Sequence, residues 1–454
     1  MKKQKKGLHI GHFYITLGPL GVAAICLLVL ALAAVVFFAL RPDSDITDRV
    51  AAAPTVTATA AVIEPATPTP AVTPSPTPTP VPTPTPEPTP RSASIRFIGE
   101  ISVDENVLSA ALQPDGSYAF DDMLGMISGA VGSADYTIAN VEGSMGGIGN
   151  GYSGKTDYNT PETLIGALKL VGVDMLTLSN DHALDAGFDG LLNTITNCQD
   201  YGMDYVGGAA TREEHETPKI IDINGINVCF LNYTTTLNSR EKATSSEAIE
   251  YGVNLAQNCN SRTDAAAARD AGADVIIAII SWGEDGKTSI SDTQKKVAQI
   301  LLDSGVDAII GYGPRCTQAV LWLENPSEAS GDETEGDEAA GDEAAKAARP
   351  TLCAISLGTF LSDSSDKGLD CGTIFEITIS EQDDGSYIIE NPVSIPTYVW
   401  KYSEDGKDCY RVLACGEWLE EQPGGMADED YARLQEIWKS MPDTVTEVSS
   451  ISAN

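Results

Sequence analysis

Basic residues are scarce in this 454-residue chain, in which 28 lysines and arginines face 65 aspartates and glutamates, giving a formal net charge of −37 at pH 7. A nucleic-acid-binding protein needs a basic patch to displace counterions from the phosphates. The composition therefore excludes nucleic acid as a partner. Part of the acidity lies in a low-complexity insertion at residues 327–349, which predicts a solvated loop rather than an acidic active site.

Cysteine motifs are also missing, because none of the nine cysteines belongs to a Cys-x-x-Cys pair. Disulfide connectivity therefore cannot be derived from spacing. Cys409 with Cys415 is the only pair that the sequence suggests. Cys229 and Cys353 lie in apolar runs and are predicted to be buried.

Charge is absent from residues 13–40, and about 20 apolar helical residues suffice to cross a bilayer core. We therefore predict a transmembrane helix there. Four lysines lie in residues 1–12 and only Arg41 follows closely, so the N-terminal tail is expected in the cytoplasm and everything after the span outside it. The alternative is a cleaved secretory signal, but this apolar run exceeds the usual core of about 7 to 15 residues.

The remaining chain divides by composition into three predicted parts. Residues 41–93 form a Pro/Thr-rich linker, expected to be a disordered extracytoplasmic stalk that in polyproline II conformation reaches on the order of 100 Å. Residues 94–399 are predicted to form one domain, and residues 400–454 a C-terminal extension with helical periodicity at 430–441.

Short apolar runs alternate with helical patterns from residue 95 onward, which indicates an α/β fold built of βα units. The Asn224-Gly225 pair predicts a type I′ hairpin, and Thr160 before Pro161 predicts a helix N-cap. Strands are predicted at 95–101, 136–141, 174–178, 226–233, 274–280, 308–310 and 352–356. Helices are predicted at 121–131, 161–171, 187–201, 261–271 and 291–304, and a late hairpin at 372–379 and 386–394.

Polar residues follow five of these strands, where open α/β sheets usually place their sites. We expect them to converge on one rim. They are Glu100 after the first strand, Asn140 and Glu142 after the second, Asn180, Asp181 and His182 after the third, Trp282 and Glu284 after the fifth, and Arg315 after the sixth.

The stretch at residues 167–187, with Ser179-Asn180-Asp181-His182 at its centre, resembles a long signature of the CapA family of poly-γ-glutamate capsule synthesis proteins. Asn140-Val141-Glu142 and Ile355-Ser356-Leu357-Gly358-Thr359-Phe360 are similar to further family motifs. The resemblance covers roughly residues 95–363. It implies a domain like the calcineurin-like metallophosphatases, a four-layer αββα sandwich, outside the membrane and behind an N-terminal anchor.

The chain departs from the family pattern at its histidines. Ser281 stands where the family has His, and Gly311-Tyr312-Gly313-Pro314-Arg315 stands where it has Gly-His-His-Pro-His, so four histidines are absent. A dinuclear hydrolytic site needs several nitrogen and oxygen ligands. The ligands that remain are Glu100, Asn140, Glu142, Asp181 and His182, enough for one divalent cation among Mn, Zn, Mg and Ca.

For most of these candidate residues, a structural role is an alternative to the functional one. His182 is either a metal ligand, a general acid or a hydrogen-bonded rim residue, and Asp185 is expected to orient it. Glu100 and Glu142 form an acid and base pair, or Glu142 caps a loop. Arg315 binds a carboxylate or phosphate, or neutralises the two glutamates. For substrate the candidates are Asn180, Glu284 and Trp282, which stacks on a ligand or packs in the core.

Three functions follow from these expectations. The first is a non-catalytic or weakly metal-binding protein that binds an anionic envelope polymer or a partner of the capsule synthesis complex. The second is a hydrolase that uses one metal ion to cleave an envelope polymer or phosphoester. The third is a wall-spanning structural protein in which the rim has no role.

Overall fold

The computed structural model describes residues 8–10, 13–15, 90–242, 244–324, 350–441 and 448–449. The chain divides into two units, Met1–Pro84 and Thr85–Asn454. In the first unit, Leu8–Ile10 pairs antiparallel with Phe13–Ile15. Within the described residues no helix has the length and apolarity that a membrane span requires. The predicted span beyond residue 15, the stalk up to residue 89 and the acidic insertion lie outside the described residues.

The second unit contains two seven-stranded sheets. Sheet one has the order β13-β12-β11-β1-β2-β3-β4, with parallel pairing from β1 to β4 and antiparallel pairing among the other strands. Its strands are β1 Ser92–Ile101, β2 Tyr136–Val141, β3 Met175–Thr177, β4 Asp204–Val206, β11 Cys371–Glu381, β12 Tyr387–Glu404 and β13 Lys407–Ala414.

Sheet two has the order β14-β9-β10-β8-β7-β6-β5. Strands β6, β7, β8 and β10 are parallel, whereas β5 and β9 pair antiparallel with β6 and β10. Its strands are β5 Lys219–Ile223, β6 Ile226–Thr234, β7 Val275–Ser281, β8 Ala308–Tyr312, β9 Val320–Leu323, β10 Thr351–Ala354 and β14 Val448–Ser449.

Nine α-helices lie in the described part of this unit. They are α1 Glu105–Ala111, α2 Asp121–Leu124, α3 Ser128–Val131, α4 Thr163–Leu170, α5 Gly187–Tyr201, α6 Arg212–Glu216, α7 Ser261–Asp270, α8 Asp292–Asp303 and α9 Asp428–Ser440. A 3₁₀ turn, Gly125–Ile127, separates α2 from α3, so the single helix predicted at 121–131 is broken in the middle.

Alternate side chains of each strand enter different core layers. Phe97 of β1 packs with Phe230 of β6 and Ile277 of β7 in a core between the two sheets. Ile98, the next residue of β1, instead faces a core that α4 and α5 cover, while Ile276 faces the core under α7 and α8. The two sheets therefore pack face to face between outer helices, which is the predicted α/β architecture.

Local sequence signals explain several element boundaries. Asn224 and Gly225 both have positive φ, as the predicted type I′ hairpin requires. Ser291 and Gln294 form a capping box that starts α8. The N-cap predicted at Thr160 is wrong: α4 begins at Thr163, because the Thr160 amide donates to Ser144 and holds this segment in a bridge.

The suggested disulfide between Cys409 and Cys415 is also wrong. All eight cysteines among the described residues are free thiols. Cys409 lies near the start of β13 and Cys415 directly follows its end, so an extended strand of about 16 Å separates them. A disulfide requires Cα atoms within about 7 Å.

Helix α9 attaches to sheet one through a buried ion pair. Arg433 donates to both carboxylate oxygens of Asp370, at 2.8 and 2.7 Å, and the Asp370 side chain is only 7% exposed. Leu434 and Ile437 pack nearby against Trp400 of β12. The helical periodicity predicted around residues 430–441 therefore belongs to a helix that packs on the domain.

We predict that Arg433→Ala destabilises the protein by about 3 kcal/mol, because it leaves the Asp370 carboxylate buried without a counter-charge. The matched control is Lys367→Ala, which removes an exposed ion pair with Glu436 and should cost less than about 1 kcal/mol. Urea denaturation of the two variants measures the difference, and equal costs would contradict this role of Arg433.

Candidate functional site

The carboxyl ends of the parallel strands surround one cleft of about 400 Å³. Glu100 comes from the end of β1, Glu142 follows β2, and Arg315 follows β8. Asp181 and His182 follow β3. The structure thus brings together residues from strand ends that are separated by more than 200 positions, and Glu142, Asp181, His182, Glu284 and Arg315 line the cleft.

Three ligand atoms converge at the cleft floor. The Nε2 atom of His182 lies 3.6 Å from Oε1 of Glu142 and 3.5 Å from Oδ2 of Asp181. One ligand atom from each residue lies within 4.8 Å of the other two, so the group could hold a metal ion. Two carboxylates and an imidazole suit a divalent cation.

The imidazole of His182 is held from its other nitrogen. Nδ1 lies 2.6 Å from Oδ2 of Asp185, whose side chain is fully buried and also accepts the Tyr158 amide at 2.8 Å. Asn238 donates to the second oxygen of Asp185 at 2.9 Å. This carboxylate therefore orients the ring and directs Nε2 toward Glu142 and Asp181.

These contacts shift two pKa values. Burial alone would lower the pKa of His182, but the hydrogen bond to Asp185 and the charges of Glu142 and Asp181 outweigh it and raise the pKa to about 9. Desolvation of Asp181, together with the charge of Glu142, raises the pKa of that carboxyl to about 6. A metal ion must therefore displace a proton from His182 at neutral pH.

Arg315 lies deeper, with its side chain 8% exposed. Its Nη2 donates to Glu142 and, at 2.7 Å, to the phenol oxygen of Tyr158. Nε lies 3.7 Å from Oε1 of Glu100, and Nη1 lies 3.7 Å from Asp104. Although burial opposes the charge, the surrounding carboxylates raise the pKa of Arg315, so the guanidinium stays charged.

Glu100 is buried behind the guanidinium. Its Oε2 accepts the backbone amide of Gly313 at 2.9 Å. Only glycine fits at position 313, because φ is +115° and a Cβ atom would lie 2.2 Å from the carbonyl oxygen of Trp282. Burial and the neighbouring charge of Glu142 raise the pKa of Glu100 well above its ordinary value, against the opposing effect of Arg315.

The remaining predicted residues lie around this centre rather than in the cleft. Asn180 is 1% exposed, and its side chain bonds to the backbone of Val141, Gly143 and His182. Trp282 borders the cleft, but its indole is 2% exposed and donates to the carbonyl of Ile355, so it packs in the core. Asn140 is also buried, and its Oδ1 accepts from Thr177.

Sequence reasoning missed Asp104, Tyr158 and Asn238. Tyr158 donates to Asp104 and accepts from Arg315, and Asn238 bonds to Asp185. Asp104 follows β1 by three residues and Asn238 follows β6 by four, whereas Tyr158 lies in the long connection after β2. The position after a strand could therefore have suggested Asp104 and Asn238, but no spacing signal identifies Tyr158, because its position depends on how that connection folds back over the sheet.

Comparison with known proteins identifies the family to which the chain belongs. A model described as "Bacterial capsule synthesis protein PGA_cap" matches residues 94–364, more than half of the chain. The chain belongs to this family. The CapA resemblance stated from the sequence is thereby confirmed.

Two curated relatives of this PGA_cap member are the "Capsule biosynthesis protein CapA" of Bacillus anthracis, 24% identical, and the "PGA biosynthesis protein CapA" of Bacillus subtilis (strain 168), 21% identical. Both alignments cover 230 residues and 50% of this chain, and 55% and 58% of the relatives. The chain therefore spans somewhat more than half the length of the curated relatives it matches.

Two solved structures resemble the PGA_cap member weakly. Haemophilus influenzae NAD nucleotidase (NadN) has a TM-score of 0.42 at 11% identity, with 79% of this chain and 57% of that chain covered. The Bacillus subtilis calcineurin-like phosphoesterase YfkN has a TM-score of 0.36 at 16% identity, with coverages of 77% and 98%. Likenesses of this strength assign neither fold nor activity.

The donor set of this PGA_cap member fits one cation better than two. Glu142, Asp181 and His182 offer three atoms around one point. The deeper carboxylates of Glu100 and Asp104 lie around the guanidinium of Arg315, at 3.7 Å each. A second ion would need the space that the guanidinium fills.

We predict that cation affinity rises with pH. His182 binds metal only when neutral, and below its pKa of about 9 the neutral fraction increases about tenfold per pH unit. Calorimetric titration with Mn²⁺ between pH 6.5 and 8 should therefore give a Kd that falls about tenfold per unit. A Kd that does not depend on pH would show that His182 is not a ligand.

We also predict that Asp185→Asn lowers the pKa of His182 by about 1 to 3 units, because the ring loses its buried anionic partner. The matched control is Asp157→Asn, which removes an exposed carboxylate that pairs with Arg240. Histidine ring resonances followed by NMR against pH measure both. An unchanged pKa in Asp185→Asn would contradict the orienting contact.

Proposed function

We propose that this chain is a membrane-anchored, extracytoplasmic protein of capsule assembly that binds an anionic envelope polymer, such as poly-γ-glutamate, through one divalent cation. The family match and the names of the two curated relatives support the assignment to capsule or poly-γ-glutamate synthesis. The uncharged stretch at residues 13–40 supports the single-pass anchor with a cytoplasmic N-terminus.

The observation that carries the binding role is the three-ligand group at the cleft floor. Glu142, Asp181 and His182 leave open coordination positions on an ion, and Asp181, with its side chain 34% exposed, faces the accessible side. A polymer carboxylate can complete such a coordination shell. The net charge of −37 makes direct binding of a polyanion unfavourable, so the cation would bridge two surfaces of the same sign.

The arrangement of Arg315 favours binding over two-metal hydrolysis. Two-metal hydrolysis uses a pair of ions about 3.5–4 Å apart to activate water and stabilise the leaving group. The guanidinium instead contacts Glu142 and lies between Glu100 and Asp104. Its charge is fixed and it has no open coordination position, so it cannot generate a hydroxide nucleophile.

A second candidate function is hydrolysis of an envelope polymer or phosphoester with a single ion. The contact that favours it is the 2.6 Å hydrogen bond between His182 and Asp185, which orients an imidazole that carries a proton at neutral pH. Such a group can act as a general acid toward a leaving group. The two functions differ in whether the polymer is cleaved.

Retention of poly-γ-glutamate by the purified full chain tests both functions. We expect one Mn²⁺ or Ca²⁺ per chain and retention that disappears with a chelator. Asp181→Asn and His182→Gln should weaken retention at least about tenfold, as expected for loss of one ligand. The matched control is His215→Gln, which changes a histidine on α6 outside the cleft and should leave retention unchanged.

Two outcomes would overturn the binding role. Retention that persists in chelator, or that both ligand variants keep, would separate polymer binding from the cation. Polymer that becomes shorter during incubation with the wild-type chain, but not with His182→Gln, would establish the hydrolase instead.

A further inference from the structure

Arg315 is surrounded by more negative charge than its own charge balances. Glu142 contacts its Nη2, Glu100 lies at 3.7 Å from Nε, and Asp104 lies at 3.7 Å from Nη1. The side chains of these three acids are 2–4% exposed. Buried carboxylates are rare unless they are paired or bind a metal ion, and here three of them enclose one group.

The guanidinium does not form all the hydrogen bonds that the groups around it can make. Oε1 of Glu100 and Nε of Arg315 are both buried and have no hydrogen-bond partner, although they lie 3.7 Å apart. A buried polar atom without a partner is unfavourable, so two of them facing each other at 3.7 Å indicate that the groups around Arg315 do not match a planar guanidinium.

The same groups suit a compact cation. Carboxylate and amide oxygens are the ligands that divalent ions such as Mn²⁺ and Mg²⁺ take in proteins. Glu142 also belongs to the ligand group that it forms with Asp181 and His182 at the cleft floor, which we call the outer position. The outer position and the position of the guanidinium therefore share one carboxylate.

We propose that the Arg315 guanidinium is a built-in cation that occupies a second metal position, formed by Glu100, Asp104 and Glu142, and that removing it opens this position to a divalent ion. The protein then holds one exchangeable ion and one permanent charge in the same cleft. This inference rests on the proposed function only for the exchangeable ion at the outer position.

The direct test is the number of Mn²⁺ ions bound per full-length chain, measured by equilibrium dialysis and elemental analysis. We expect one ion in the wild type and two in Arg315→Ala and Arg315→His. Adding Glu100→Gln to Arg315→Ala should return the count to one, which assigns the new ion to the deep position. Arg212→Ala is the matched control, because it removes an exposed arginine that pairs with Glu250, and should bind one.

Thermal unfolding provides a second readout that needs no activity. In chelator, Arg315→Ala leaves buried acids without a counter-charge and should melt lower than the wild type, and Mn²⁺ should restore most of the loss. Three results would overturn the inference: two ions in the wild type, no added ion in either Arg315 variant, or restoration by Mn²⁺ that Glu100→Gln does not abolish.

The number of Mn²⁺ ions bound by the wild-type chain keeps the inference testable even if both Arg315 variants fail to fold. Two ions bound by the wild type would mean that the guanidinium does not exclude a second ion. The test also separates this inference from the proposed function. If the wild type binds no ion and Arg315→Ala binds one, the polymer-binding proposal loses its outer ion while the built-in cation stands. If both proteins bind one ion, the polymer-binding proposal keeps its outer ion and the inference of a built-in cation fails.

Discussion

The contact between the Arg315 guanidinium and the buried carboxylates of Glu100, Asp104 and Glu142 determines the rest of the site. Three buried carboxyl groups at or just after the ends of β1 and β2 lie within 3.7 Å of this one positive charge, which offsets the cost of burying them together. Arg315 supplies that charge from the turn after β8 and thereby ties sheet two to sheet one. The cleft floor, where His182 faces Glu142, is built on this contact.

The positions of the strands followed from the sequence because burial on both faces leaves continuous apolar runs. β2 and β7 are buried along their whole length, and their predicted bounds differ from the observed ones by at most one residue. Short strands without such runs, including β4 and β9, were not predicted. Their pairing depends on the neighbouring strand rather than on their own composition.

The site could be predicted in part for a similar reason. Parallel strands bring their carboxyl ends to one edge, so the residues that follow them could be grouped before their distances were known. The roles of Asn180 and Trp282 could not be predicted as well, because a motif position does not reveal whether a side chain points into the cleft or into the core. Tyr158 comes from a long connection whose path only the fold determines.

The direction of β1 has a mechanical consequence. The chain enters this strand at Ser92, and Glu100 lies near its other end, so about 25 Å of strand separates the point of entry from the cleft. A force applied between Ser92 and the cleft would act along β1, across its hydrogen bonds with β2 and β11. The bonds would share the load in shear instead of opening one after another, so the domain resists a pull in this direction.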